Sequence, residues 1–339
     1  MKNRIFVLLI ILLLGIGFYF YQNKSYLNKQ TVNTLTKFSF ALDWTPNTNH
    51  TCLYVAQNKG YFRDDGLEVD ILPYSSSVSP DVLVATGKAD AGVGFTEWII
   101  ADNAQGSPVI SIAGILAHNT SALITLDNPN IKSPKDLENK IYGGYGAPLE
   151  QAVVGEIIKK DGGKPKIKSL SLDIGALKAL ETKRVDFIWG YLGWEVIQAK
   201  REGVKLKSFP IVDYGIADYY TPNIITSTKM IKEKPEILRR FMRAISKGYE
   251  FAAKNPKEAA AILIQTTPKG TFPDESFVYE SQNYLSTKYM DPGKKWGFQE
   301  KKMWMDFPRF ILDSGSITDA NGHVVKSMDI ESLYTNEFL

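Results

Sequence analysis

The chain has 339 residues, 44% of them hydrophobic, and a formal charge of +3 that falls to +1 without Lys2 and Arg4 at the extreme N-terminus. That length can bury the cores of two ordinary domains, and so small a charge makes no electrostatic case for nucleic acid. The single cysteine, Cys52, excludes an internal disulfide and the paired cysteines of zinc or iron–sulfur sites; it reads as a small buried residue.

Lys2 and Arg4 precede residues 5–21, which carry no charge, and polar Gln22-Asn23-Lys24-Ser25 follows. A basic start before an apolar run is an export signal or a membrane anchor rather than part of the fold. No small-x-small cleavage site follows the run, which ends Phe18-Tyr19-Phe20-Tyr21. An uncleaved anchor is therefore expected, at the short limit for spanning hydrocarbon.

Beyond residue 37 apolar runs alternate with amphipathic stretches, which predicts mostly parallel sheets covered by helices. The strand-like run Phe38-Ser39-Phe40-Ala41-Leu42 leads into Asp43-Trp44-Thr45-Pro46-Asn47-Thr48-Asn49-His50-Thr51, and a helix begins near Leu53. An acid, an indole, amides and an imidazole at the carboxyl edge of a sheet suit a ligand pocket. They also suit a strand-to-helix turn in which Asn47 or Thr48 caps the helix.

A second strand is expected at 67–72, a helix at 79–87 stopped by Gly87, and a short small-residue strand at 89–95. Thr96 and Glu97 follow that strand, either capping the helix at 98–105 or facing a ligand. After a strand at 121–126, Ser133-Pro134 starts a helix, and a strand at 140–144 meets the turn Tyr145-Gly146-Ala147-Pro148 before a helix at 149–160. Those glycines would let backbone N–H groups face a ligand, but a tight turn needs them equally, and that reading is favoured. A helix at 176–183 and a strand at 185–190 then bring Tyr191-Leu192-Gly193-Trp194-Glu195 to a sheet edge before a helix at 196–202. An acid flanked by aromatics fits a flat ring bearing N–H donors; packing and a first-turn acid are the alternative. Helices at 235–254 and 256–265 show scaffold periodicity, and two more are expected at 303–312 and 328–338.

The Asp43 to Thr51 run, Lys59-Gly60-Tyr61-Phe62, Gly66-Leu67-Glu68-Val69, Gly87-Lys88-Ala89-Asp90, Ser133-Pro134-Lys135-Asp136-Leu137 and Trp194-Glu195 together resemble the thiamine-pyrimidine family. That family joins solute-binding proteins of ABC importers for thiamine precursors with the pyrimidine synthases of thiamine biosynthesis. The resemblance spans about residues 38–265, and the Asp43 to Thr51 run is its specific part.

The resemblance implies an α/β chain with the two-lobed periplasmic-binding-protein fold of type II. A hydrophobic signal or anchor helix occupies 1–22 and a polar tether 23–37. Lobe one takes 38–125 and 226–339, lobe two takes 126–225, and crossovers near 124–128 and 217–226 form the hinge. The implied ligand is an aminopyrimidine, clamped by Trp44 or Tyr191 and Trp194, with Asp43 and Glu195 accepting from its nitrogens. Asn47 and His50 trim its rim, and Thr96, Glu97, Tyr145 and Glu150 complete the site.

The synthase branch carries a lysine and a histidine after the strand equivalent to 89–93 and a cysteine-rich iron-binding run before the return crossover. Here Gly94, Trp98 and Ile216-Ala217-Asp218-Tyr219-Tyr220-Thr221 stand there. His50, His118 and His323 are too scattered for catalysis. The expectation is thus a monomeric, non-enzymatic binding protein on the outer face of the membrane, needing no cofactor and serving an ABC permease. Riboflavin or another heterocycle is the first rival ligand, a pyrimidine synthase the rival class, and a membrane-tethered sensor a third reading.

Overall fold

The computed structural model describes residues 35–146, 148–172 and 175–339. The expected anchor helix and almost all of the tether lie outside the described residues. Among those described, no helix is long and apolar enough to cross a membrane.

Phe38 and Phe40 alternate inward along the first strand, β1 (Thr36–Ala41), and stack on Phe241 at 4.3 and 5.6 Å between ring centroids. Phe62 meets the same ring at 5.4 Å, and burying each phenylalanine stabilises by about 1.5–3 kcal/mol. This cluster seats β1, α1 (Thr51–Asn58), α2 (Tyr61–Asp64), β2 (Leu67–Leu72), β3 (Ala91–Gly94) and β4 (Val109–Gly114), while α3 (Pro80–Ala85) and α4 (Thr96–Ala104) pack into a second cluster through Val84, Ile99 and Ile100. β1 and β3 run parallel, as the βα rhythm predicts.

The chain then enters a second sheet: β5 (Ser121–Leu126), β6 (Ile141–Gly144), α5 (Pro148–Lys160), β7 (Lys168–Ser171), α6 (Ala176–Glu181), β8 (Phe187–Tyr191), α7 (Glu195–Arg201) and β9 (Leu206–Pro210). It returns through β10 (Asn223–Ser227) and continues as α8 (Thr228–Glu233), α9 (Pro235–Lys254), α10 (Pro256–Thr266), α11 (Glu275–Ser286) and α12 (Lys301–Asp313). On α9 the expected stripe Leu238, Phe241, Met242 and Ile245 is buried. The strand orders are β2-β1-β3-β10-β4 and β7-β6-β8-β5-β9, both within one compact unit, Lys37–Leu339.

Three expectations are corrected. The sheets are mixed: β10 lies antiparallel to β3 and β4, and β5 to β8 and β9. Each of these strands arrives from the other sheet and not through a βαβ unit, so the parallel arrangement that such a unit imposes does not apply to it. The chain consequently changes sheet over 115–120 and 211–222, ahead of the expected crossovers at 124–128 and 217–226. β5, assigned by sequence to lobe one, is a central strand of the second sheet, whereas β10, whose first residues fell to lobe two, is central in the first. Finally, 328–338 holds one 3-10 turn, Ile330–Leu333, instead of a helix. Tyr334 bridges Ser111 in parallel, and Thr335 N–H donates to the Ser111 carbonyl, which draws the tail onto β4 in extended form.

Candidate ligand-binding site

Leu42 N–H donates to the Leu72 carbonyl at 3.1 Å, ending the β1 pairing and releasing the polar run toward α1. Asn47 Oδ1 accepts from Asn49 N at 2.9 Å, and Asn47 Nδ2 donates to the Thr45 carbonyl at 3.2 Å. These local bonds hold the turn in the way short amides do. His50 Nδ1 accepts from Asn47 N at 3.3 Å, which leaves Nε2 to carry the proton toward Asp43 Oδ1 at 2.7 Å. The polar atoms of Asn47 and His50 are therefore engaged inside the loop, and His50 fixes the Asp43 carboxylate.

Thr96 is likewise engaged away from any ligand: its hydroxyl donates to the Tyr220 carbonyl at 2.6 Å and accepts from Asn223 Nδ2 at 3.1 Å. It fastens the start of α4 to the return crossover. Glu97, one residue on, differs. Its Oε1 accepts from the Tyr219 hydroxyl at 3.1 Å, while its Oε2 is buried without a hydrogen-bond partner. Burial pushes this carboxyl up to about 7, and the Glu150 charge adds to the shift.

On the second sheet, Glu150 accepts from Tyr145 N at 3.1 Å, Gly146 N at 2.8 Å and the Tyr142 hydroxyl at 3.0 Å. The glycine-rich turn thus points its N–H groups at the chain's own Glu150 carboxylate, as the tight-turn reading expects. Gly146 has φ +86°, where other residues are strained. At the next edge Glu195 Oε2 accepts from Tyr191 N at 2.8 Å, and a Cβ on Gly190 would come within 3.2 Å of that oxygen. Burial raises the Glu195 carboxyl, with the Tyr191 N–H working against the shift.

Trp44 meets Tyr74 at 4.8 Å and Tyr145 edge-on at 6.5 Å between centroids. The loop after β1 and the turn after β6, carried by different sheets, thereby come together. Tyr145 is 64% exposed as a residue, but its hydroxyl end is partly withdrawn from water and faces the Glu195, Asp43 and Glu150 charges, which together push the phenol up. Tyr191 is pushed up by burial and by Tyr145, Glu97, Glu195 and Asp43. Asp43, Trp44, Glu97, Tyr145, Tyr191 and Glu195 therefore form one acidic, aromatic cluster. The Trp194 ring packs edge-to-face on Phe277 of α11 at 4.5 Å.

Two members were missed by sequence. Tyr74 stands two residues past β2, an edge position that the rule used for Asp43 would also have selected. Tyr219 lies in the return crossover, stacked on Phe307 at 3.5 Å, and no local pattern distinguishes it. Among the described residues, no group of three or more His, Cys, Asp or Glu side chains is arranged to hold a metal ion.

Two sheets exchanging strands through two crossovers, with acids and aromatics gathered from the carboxyl edges of both, define a periplasmic-binding-protein fold. Solved structures share it: a Bordetella bronchiseptica protein at TM-score 0.67, with 20% identity over 89% of this chain and 95% of that one. A putative periplasmic sulfonate-binding protein from Methylobacillus flagellatus matches at TM-score 0.62, with 20% identity over 91% of this chain and 93% of its own. The family model described as NMT1/THI5 like matches residues 47–259, and the chain belongs to that family. It is 30% identical over 268 residues to a formylaminopyrimidine-binding protein of Halalkalibacterium halodurans, covering 78% of this chain and 81% of the relative. A 4-amino-5-hydroxymethyl-2-methylpyrimidine phosphate synthase of Saccharomyces cerevisiae is 24% identical, covering 69% and 72%.

Proposed function

We propose that this protein is an extracytoplasmic solute-binding protein that captures a thiamine-precursor aminopyrimidine, of the hydroxymethyl- or formylaminopyrimidine type, and passes it to an ABC permease. The observation that carries this reading is the meeting of Trp44 with Tyr145 beside Asp43 and Glu195. A flat ring can stack on the face of either aromatic, where an offset stack contributes roughly 0.5–1.5 kcal/mol beyond burial. Its amino and ring nitrogens face carboxylate acceptors. The likeness to a formylaminopyrimidine-binding protein supports the same class of ligand.

The protein acts as a monomer, exported and held at the outer face of the membrane by residues 5–21, and performs no chemistry on its ligand. Gly94 and Trp98 at the synthase branch's lysine and histidine positions support a binding role over catalysis. The test is thermal melting with and without aminopyrimidines. A ligand at one hundred times its Kd should add about 2.7 kcal/mol of stability, and no shift with any pyrimidine removes the assignment. Native mass spectrometry of the freshly purified protein separates a pyrimidine from riboflavin or another heterocycle by the mass carried along.

A further inference from the structure

We propose that Glu97 is the specificity-determining residue of this site and holds its ligand through one shared proton, placed between Oε2 and a ring nitrogen of the heterocycle. The proposal rests on the binding function above and adds to it a chemical requirement: the ligand must present a basic ring nitrogen, and its capture takes up a proton at alkaline pH.

The acids of the cluster are not equivalent. Asp43 is engaged by His50, Glu150 by the turn after β6, and Glu195 by the Tyr191 N–H. Glu97 alone of the four has an oxygen that is buried without a hydrogen-bond partner. Leaving a buried polar atom in that state is unfavourable, and a ligand group that reaches it removes the cost. Its other oxygen is fixed by Tyr219, which is fully buried and held flat against Phe307, with only 6° between the rings. The open oxygen is thus presented in a fixed direction, as specific recognition requires.

The groups facing Glu97 set what it accepts. Tyr219 comes from the return crossover, Tyr191 from β8 and Glu150 from α5, and all three are phenols or acids. A second negative charge is poorly tolerated among them, so a carboxylate there holds a proton when a partner can share it. An aminopyrimidine ring nitrogen is such a partner, and the exocyclic amine beside it donates to the remaining lone pairs. The carboxyl is half-protonated at about pH 7, so above that pH both free partners are proton-poor while the complex keeps one proton. The extra proton comes from solvent, and affinity falls by up to about tenfold per pH unit there.

The test is titration calorimetry of the full-length protein with 4-amino-5-hydroxymethyl-2-methylpyrimidine at about pH 8, in buffers of differing ionisation heat. Uptake approaching one proton per ligand is expected. Glu97→Gln, whose amide supplies a permanent donor, should bind without uptake and with an affinity that no longer changes with pH. Tyr219→Phe removes a hydrogen bond that favours the ionised form and should move the onset of affinity loss to higher pH. Wild-type binding without proton uptake overturns the proposal, as does equal uptake by Glu97→Gln or an onset that Tyr219→Phe leaves in place. If the wild type binds no aminopyrimidine at any pH, the functional reading itself fails.

Discussion

His50 Nε2 and Asp43 Oδ1 lie 2.7 Å apart, the imidazole 1% exposed and the carboxylate 12%. A buried ring held at both nitrogens is a rigid support, so the acid it touches is pre-aimed before a ligand arrives. His50→Ala should weaken aminopyrimidine binding roughly tenfold or more, the equivalent of one lost hydrogen bond to a charged group. His50→Gln, which can still donate, should recover part of that loss by calorimetry. Wild-type affinity in both variants would mean that Asp43 does not meet the ligand.

Trp44 supplies ring surface at the meeting of the two sheets, against Tyr74 and Tyr145. Trp44→Ala removes a large, half-buried aromatic face while leaving the Phe241 cluster intact. Affinity should fall at least about tenfold, since an aromatic pair adds roughly 0.5–1.5 kcal/mol to the area it buries, with little change in melting temperature. A variant that melts early and binds normally would assign Trp44 to packing.

Arg201 ends α7, the helix that Glu195 begins, and it bonds Asp274, which caps α11, at 2.8 Å and Glu280 on α11 at 3.3 Å. Beneath these ion pairs, Ser281 donates to the Gly193 carbonyl at 2.5 Å and lies 2.7 Å from the Thr48 hydroxyl. Helix α11 therefore ties the Trp194 turn to the loop after β1. Exposed ion pairs contribute little individually. Arg201→Ala should accordingly speed ligand release by no more than about fivefold and reduce its salt dependence. Stopped-flow tryptophan fluorescence at low and high salt reads both effects.

His118 lies in the first crossover, with Nδ1 2.5 Å from Asp218 and Nε2 3.1 Å from Asp291. These aspartates raise its pKa above the ordinary 6.5 against the effect of burial. Lys294, Lys295 and Glu300 line the same hollow. With the folded value raised, the contribution of His118 is complete below about pH 6.5 and is lost as pH rises through the folded value. His118→Gln should flatten that part of a melting-temperature profile, modestly because the ring is 54% exposed.

Asp102 on α4 is pushed up to about 8 by burial and by the neighbouring Asp81 carboxyl. The folded state then binds more protons than the unfolded chain between about pH 4 and pH 8, so stability falls as pH rises through that window. Asp102→Asn mimics the protonated acid and should melt higher than wild type at about pH 8. A gain of about 2 °C or more is expected, with convergence of the two proteins near pH 4. Parallel profiles would show that the two acids do not interact.

Much of the site was legible because sheet edges are predictable. Asp43, Trp44, Glu97, Tyr145, Tyr191 and Glu195 all follow strands whose alternation marks their ends, and a strand's carboxyl edge is where an α/β chain places ligand groups. The internal hydrogen bonds of Asn47, His50 and Thr96 were not legible, because residue type does not reveal which way a polar atom turns. Each could face a ring or satisfy nearby backbone, and the backbone groups took them.

The crossovers were displaced for a related reason. Buried apolar runs such as 121–126 look alike whether a strand ends one sheet or is central in the next. Tyr219 escaped notice because its importance lies in touching Glu97, more than one hundred positions away. By itself the sequence determined the order of elements, the buried stripe of α9 and the chemical types gathered at the strand ends, since these follow from local periodicity and turn chemistry. Only the tertiary structure decided which acid keeps an unpartnered oxygen. That depends on hydrogen bonds between residues far apart in the chain, and these form when two sheets close on one another.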